Sequence, residues 1–114
     1  MFKNTYTNEK RQQEAQRIMS KYPDKIAIIV EKKPGSELPN LDKKKYLTPD
    51  DITVGQFMYV IRKRIKIPAE KSMFFFTNKG KIPASSTLMR QVYVDNQDDD
   101  GFLYFTIDSE NTFG

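Results

Sequence analysis

The chain has 114 residues, which is enough for one domain. It contains no cysteine and no histidine, which excludes disulfides, Cys/His zinc sites and catalysis by a thiol or an imidazole. The net charge is +4, but residues 1–71 carry +7 and residues 72–114 carry −3. A basic body of this kind can attract nucleic acid, an anionic membrane or an acidic protein segment. No apolar run approaches the roughly 20 residues that span a bilayer, so we expect no membrane helix.

The first half of the chain predicts one helix followed by two strands. Apolar side chains recur at spacings of three and four along Asn8–Tyr22, which indicates a surface helix, and Pro23 ends it. The nearly continuous apolar run Lys25–Val30 is typical of a strand that is buried on both faces. Lys44–Thr48 is predicted to be a second strand, and its lysines indicate the edge of a sheet.

The middle of the chain predicts an amphipathic helix and a third strand. Thr53 and Gln56 have the spacing of a capping box, in which each side chain bonds to the backbone N–H of the other residue. The apolar stripe that follows predicts a helix that is terminated by Pro68. Three successive phenylalanines in Met73–Thr77 predict a strand with both faces buried, because neighbouring side chains point to opposite faces.

The last third predicts another helix, capped by Ser85 or Ser86, and a final strand at Phe102–Ile107. The order of elements describes an α+β fold of the ubiquitin-like β-grasp class. It has a four-stranded mixed sheet with two crossover helices, plus an N-terminal helical extension. Because the first and last strands are the most continuously apolar, we expect them to lie side by side and parallel in the sheet centre.

We interpret residues 1–114 as a single ubiquitin-like domain. Its N-terminal helical extension spans about 1–23 and its β-grasp core spans 24–107. The remaining residues, 108–114, are predicted to form a flexible C-terminal tail because they are polar apart from Phe113. The extension should cover the sheet face that the crossover helix leaves open.

Eight strings along the chain resemble one protein family. They are Lys21–Asp24, Ile29–Lys32, Leu41–Leu47, Thr53–Phe57, Ile61–Ile65, Phe74–Phe76, Asp100–Tyr104 and Phe113–Gly114. In order and spacing they resemble the autophagy-related protein 8 family, which includes the GABA-receptor-associated proteins and microtubule-associated light chain 3. The resemblance extends from about Glu9 to the last residue, and it implies a ubiquitin-like core carrying two N-terminal helices.

The resemblance implies that Gly114 is a site of lipid conjugation. Members of the family are joined through a C-terminal glycine to phosphatidylethanolamine, and they then reside on the autophagosome membrane as well as in the cytoplasm. The implied partners are an activating E1-like enzyme, a conjugating E2-like enzyme and a deconjugating cysteine protease. The chain would be their substrate and not an enzyme, with no catalytic residue, metal or cofactor of its own.

The resemblance also implies a surface that binds receptors and adaptors carrying an aromatic-x-x-aliphatic motif. The second strand offers an open edge to which such a peptide can add by β-augmentation. Carried over position by position, the aromatic pocket falls on Glu14, Ile18, Lys43, Lys45, Leu47 and Phe102. The aliphatic pocket falls on Tyr46, Pro49, Ile52, Phe57, Val60 and Arg64.

Three positions depart from the family pattern. Ala27 stands where members often have proline, on the wall of the aromatic pocket, and Thr48 stands where they often have valine, in the aliphatic pocket. Asn8 stands where many members have phenylalanine. The loss of that apolar anchor predicts that the first few residues dock loosely.

The residues alone leave other interpretations open. The lysines of the second strand could serve only to prevent aggregation at a sheet edge. Lys43–Lys45 and Arg62–Arg64, with Tyr46 as a stacking platform, could bind nucleic acid. Asp50–Asp51 and Asp98–Asp100 could supply a carboxylate pair or a hard-metal site, although aspartates beside turns commonly serve capping and solubility.

Overall fold

The computed structural model describes residues 1–68 and 71–110. In chain order these form α1 (Phe2–Thr5), α2 (Asn8–Lys21), β1 (Lys25–Lys32), β2 (Lys45–Pro49), α3 (Val54–Ile65), β3 (Ser72–Thr77), α4 (Met89–Asn96) and β4 (Leu103–Glu110). The predicted order of strands and helices is confirmed. α1, which the sequence pattern did not indicate, is the second of the two N-terminal helices that the family resemblance implies.

The strands form one mixed sheet in the order β2-β1-β4-β3. β1 and β4 lie parallel at the centre, with Ile28 opposite Leu103 and Val30 opposite Phe105. β2 pairs antiparallel with β1 and forms an edge of the sheet, and β3 pairs antiparallel with β4. The fold is therefore the predicted ubiquitin-like β-grasp, with its most apolar strands in the middle.

Helices cover both faces of this sheet. On one face, α3 and α4 place apolar side chains such as Phe57 and Val92 in a cluster with Ile28 and Phe105. On the other face, Ala15, Ile18 and Phe2 pack with the alternate residues of β1 and β4. Burial on both sides explains why β1 is apolar at consecutive positions, and it confirms that the N-terminal helices cover the open face.

β3 is buried on one face only, so the prediction of two buried faces is wrong. Phe75 is buried in the cluster beneath α3, whereas Phe74 and Phe76 are half-exposed on the opposite face. Those two side chains lie across from Asp108 and Thr106 of β4. Among the described residues, the apolar cluster beneath α2 draws on β1 and β4 and not on β3, so α2 leaves this part of the sheet open.

Two predicted boundaries also differ from the structure. α4 begins at Met89 with Leu88 as its N-cap, and neither Ser85 nor Ser86 caps it. Those serines belong to a preceding segment that packs on the start of α3, since the Ser85 carbonyl accepts a hydrogen bond from Gly55 N. β4 continues to Glu110, three residues beyond its predicted end, and pairs there with β3. The remainder of the predicted tail, 111–114, lies outside the described residues.

The predicted capping box at the start of α3 is confirmed. Gln56 N donates to Thr53 Oγ1 at 3.2 Å, and Thr53 N donates to Gln56 Oε1 at 2.8 Å. The helix ends at Ile65, where Lys66 adopts a left-handed conformation with φ of 53°. Both ends of α3 are thus defined by local chemistry, and the helix ends three residues before Pro68.

Replacing the cap residue should destabilise the fold moderately. Thr53→Ala removes the oxygen that accepts from Gln56 N, so we expect the free energy of unfolding to fall by about 1 kcal/mol. Chemical denaturation measures this loss, and Thr53→Ser, which keeps the hydroxyl, is the matched control. Equal midpoints for the alanine and serine variants would contradict a stabilising role of the cap.

Candidate functional site

A cavity of about 640 Å³ opens between α1, α2 and the start of β2. Its lining combines apolar side chains with a cationic rim. The lining residues are Phe2, Thr5, Tyr6, Glu14, Arg17, Ile18, Lys43, Lys44, Lys45, Tyr46 and Leu47. This mixture suits a large apolar or aromatic side chain that carries acidic neighbours.

The structure brings five of the six residues assigned to the aromatic pocket into the lining of this one cavity. They are Glu14, Ile18, Lys43, Lys45 and Leu47. The sixth, Phe102, has a relative exposure of 0% and is not among the lining residues. The Phe2 ring packs edge-on against it, with the two centroids 5.4 Å apart. Phe2 therefore stands between the cavity and the residue predicted to contact the ligand.

The prediction of a loosely docked N-terminus is wrong. Phe2 is buried in the cluster beneath α2, and its backbone N–H donates to Glu31 Oε2 at 2.9 Å. Lys3 Nζ lies 2.5 Å from Asp98 Oδ1. The apolar anchor missing at Asn8 is thus supplied by Phe2, which sequence reasoning missed because a single aromatic residue near a chain end carries no periodicity.

Electrostatic contacts organise the rim of the cavity. Lys45 Nζ donates to Glu14 Oε1 at 2.5 Å, and Arg17 lies 3.2 Å from the same oxygen. The hydrogen bond from Lys45 lowers the pKa of Glu14, so this carboxylate stays ionised near neutral pH. Lys44 lies 3.8 Å from Glu31, and Lys43 Nζ lies 5.2 Å from the Tyr46 ring centroid. The cationic groups outnumber the carboxylates at this rim, which favours an acidic partner.

β2 presents its outer edge next to the cavity. In the part of the chain that the structure describes, β2 pairs with β1 along one side and has no strand on the other. Its side chains alternate, so that Tyr46 is buried against the α3 side while Leu47 is exposed and lines the cavity. An extended peptide added to this edge would alternate in the same way between the two sides.

The six residues assigned to the aliphatic pocket are not equally accessible. Val60, Pro49 and Arg64 are exposed, whereas Ile52 is partly buried and Tyr46 and Phe57 lie in the core. Tyr46 and Phe57 pack edge to face with centroids 6.1 Å apart. The Arg64 guanidinium lies 6.0 Å from the Tyr46 ring, and its Nε is 3.5 Å from Asp42. Phe57 therefore supports Tyr46 from beneath and does not itself form an exposed surface.

Two of the groups that suggested nucleic-acid binding, Tyr46 and Arg62, are used within the fold. Tyr46 is buried and its hydroxyl donates to the Lys43 carbonyl at 2.9 Å, so its ring is not available as a stacking platform. Burial raises the pKa of this hydroxyl. Arg62 donates to the carbonyls of Pro68 and Lys71.

The acidic run Asp98–Asp100 likewise has a structural role. Asp100 is 2% exposed and accepts hydrogen bonds from Arg11, Tyr104 and the backbone of Phe102. Within residues 1–68 and 71–110, no cluster of three or more acidic side chains is placed to hold a metal ion. In the other acidic run, Asp50–Asp51, the Asp50 Oδ1 atom lies 3.8 Å from Arg90 Nη2.

The family model described as autophagy protein Atg8, ubiquitin like, matches residues 10–114. The chain belongs to the Atg8 family. It is 58% identical over 114 residues to autophagy-related protein 8e of Arabidopsis thaliana, covering all of this chain and 93% of that relative. It is 53% identical over 113 residues to autophagy-related protein 8 of Mycosarcoma maydis, covering 99% of this chain and 95% of the relative.

Solved structures support the same assignment. The crystal structure of Trypanosoma brucei ATG8 matches with a TM-score of 0.91 and 42% identity, covering 99% of this chain and 97% of the other. The protein is therefore a ubiquitin-like autophagy protein. None of its helices within the described ranges is long and apolar enough to cross a membrane. Gly114, the assigned conjugation site, lies outside the described residues.

Proposed function

We propose that this Atg8 protein is a modifier that is conjugated through Gly114 to phosphatidylethanolamine during autophagosome formation. On the membrane it recruits cargo receptors and adaptors that carry an aromatic-x-x-aliphatic motif. The observation that best supports this recruitment is the cavity between α1, α2 and β2, because it lies beside an open strand edge and has a cationic rim.

The geometry of the edge accounts for the spacing of such a motif. In an extended peptide, residues three apart point to opposite faces of the strand. A peptide on the outer edge of β2 can therefore place its aromatic side chain in the cavity beside α2. Its aliphatic side chain then lies on the α3 side, near Val60 and Arg64. Acidic residues that flank the motif would contact Lys43 and Lys45 at the rim.

In the proposed conjugation the chain is a substrate and contributes no catalytic residue. The E1-like enzyme first adenylates the carboxyl group of Gly114 with ATP, which releases pyrophosphate. An enzyme thiol then displaces AMP to form a thioester, and the chain is passed to a thiol of the E2-like enzyme. The amine of phosphatidylethanolamine then attacks this thioester, forming an amide and releasing the enzyme thiol. A cysteine protease later hydrolyses this amide with water, which frees the Gly114 carboxyl group and the amine of phosphatidylethanolamine, so the protein alternates between the cytoplasm and the autophagosome membrane. The chain itself uses no cofactor and binds no nucleic acid.

Shortening Leu47 should weaken peptide binding. Leu47→Ala removes apolar surface from the cavity wall, and we expect about a tenfold higher Kd for an acidic peptide containing Trp-x-x-Leu. Isothermal titration calorimetry measures the effect. Raising the salt concentration should weaken wild-type binding as well, because exposed lysines at the rim are screened.

The controls for this experiment test the groove directly. Val94→Ala truncates an exposed apolar residue on α4 and should leave the Kd unchanged. The same peptide with alanine in place of tryptophan should not bind. A wild-type protein that failed to distinguish the two peptides would refute the proposed groove.

A further inference from the structure

The aromatic pocket of this protein contains an aromatic side chain of its own. Phe2 lines the cavity, and its ring faces Phe102, Tyr104 and Tyr6 at centroid distances of 5.4, 6.4 and 5.1 Å. The cavity of about 640 Å³ is open with Phe2 in place. Phe2 is thus a wall of the cavity and leaves room for a second ring.

Contacts outside the cavity hold Phe2 in this position. Its backbone N–H donates to Glu31, which is itself buried, and Lys3 pairs with Asp98. Lys3 Nζ also lies 4.7 Å above the Tyr104 ring. These contacts tether α1 to β1, to β4 and to the loop preceding β4. None of them uses a group that a ligand in the cavity would have to displace.

We propose that Phe2 is a specificity-determining residue of the aromatic pocket, contacting the ring of the bound peptide in place of the covered Phe102. This inference rests on the proposed function of the groove as a peptide-binding site. The occupant is the aromatic side chain of an extended acidic peptide, since the rim around Phe2 carries Lys43 and Lys45.

The chemistry of the wall determines which ligands it favours. Aromatic rings attract one another in offset or edge-to-face arrangements beyond what apolar burial alone provides. Phe2 already packs edge to face with Phe102, so the ligand ring would extend an existing aromatic cluster. An aliphatic side chain in the same place would gain burial but not this additional interaction. Phe2 therefore increases the preference of the pocket for aromatic over aliphatic residues.

The sharpest test is Phe2→Leu, because leucine keeps most of the apolar bulk that covers Phe102 and removes only the ring. Two acidic peptides are used, one with tryptophan and one with leucine at the aromatic position of the motif. For Phe2→Leu we expect about a fivefold higher Kd for the tryptophan peptide and an unchanged Kd for the leucine peptide. The matched control is Phe76→Leu, a half-exposed phenylalanine on β3 away from the cavity.

A second measurement does not depend on any variant. In the wild-type complex, NMR should show nuclear Overhauser contacts between the peptide indole and the Phe2 ring. If the wild type binds neither peptide, the proposed function of the groove fails. If the wild type binds the tryptophan peptide and Phe2→Leu binds the same peptide as tightly or more tightly, the proposed role of Phe2 is overturned and the groove is not. The absence of contacts between the indole and the Phe2 ring in the wild-type complex would overturn that role in the same way.

Discussion

Removing Gly114 is expected to abolish conjugation to phosphatidylethanolamine and to leave peptide binding unchanged. In the proposed conjugation, glycine presents the reacting carboxyl group to enzyme active sites without a Cβ that would limit the approach of the backbone. The groove lies at α1, α2 and β2, and the described part of β4 ends at Glu110. The proposed conjugation therefore uses a residue other than those that line the proposed groove.

The measurement uses the lysine and arginine content of the sequence. Neither residue occurs after Arg90, so trypsin releases residues 91–114 as a single fragment. Its mass in starved and fed cells should reveal a starvation-dependent species that carries phosphatidylethanolamine. The Gly114 deletion should lack this species and bind the Trp-x-x-Leu peptide with the wild-type Kd. A fragment that is unmodified under both conditions, with delipidation blocked, would refute the conjugation proposal.

The sheet could be predicted from the sequence because its determinants are local. Continuous apolarity in β1 and β4 requires cover on both faces, and this places the two strands at the centre. The capping box at Thr53 could also be predicted from the sequence, since a four-residue pattern contains both hydrogen-bonding partners. In each case the residues that define the element lie next to one another in the chain.

The errors arose where distant segments decide the outcome. Phe74 and Phe76 are half-exposed because α2 covers the central strands and leaves β3 open. The residues of β3 alone cannot indicate which strands α2 covers. Ser85 does not cap α4 because its segment is held by hydrogen bonds to the start of α3. The N-terminus docks through Glu31 and Asp98, which lie far away in sequence.

The distinction between local patterns and contacts from distant segments also applies to the candidate site. Five residues assigned from the family resemblance line one cavity because they lie on α2 and on or just before β2, two regions that the resemblance covers. The resemblance could not reveal that Phe102 is covered, because none of the eight strings that carry the resemblance includes the covering residue, Phe2. A pocket is defined by every segment that reaches it, including segments without a recognisable pattern.

Asp100→Ala should cause the largest loss of stability among the changes considered, about 3–5 kcal/mol, because it leaves the Arg11 charge without its buried partner. Arg11 Nη1 lies 2.6 Å from Asp100 Oδ2, and the arginine side chain is 10% exposed. The Tyr104 hydroxyl donates to the same carboxylate, and burial together with this bond raises the pKa of Tyr104. The group joins α2 to β4, so its loss should loosen the helix that carries Ile18.

The neighbouring Asp99 provides a matched control, since it is exposed and Asp99→Ala should change stability by no more than about 0.5 kcal/mol. Domains of this size are stable by about 5–15 kcal/mol, so Asp100→Ala should shift the denaturation midpoint far more than Asp99→Ala.

Amide exchange should show the loss of protection concentrated in α2, because Arg11 is the residue through which that helix reaches Asp100. Since α2 forms one side of the cavity, its opening should also raise the Kd for the Trp-x-x-Leu peptide. Equal midpoints for the two variants would mean that apolar packing of Ala15 and Ile18 holds α2 without help from the buried ion pair.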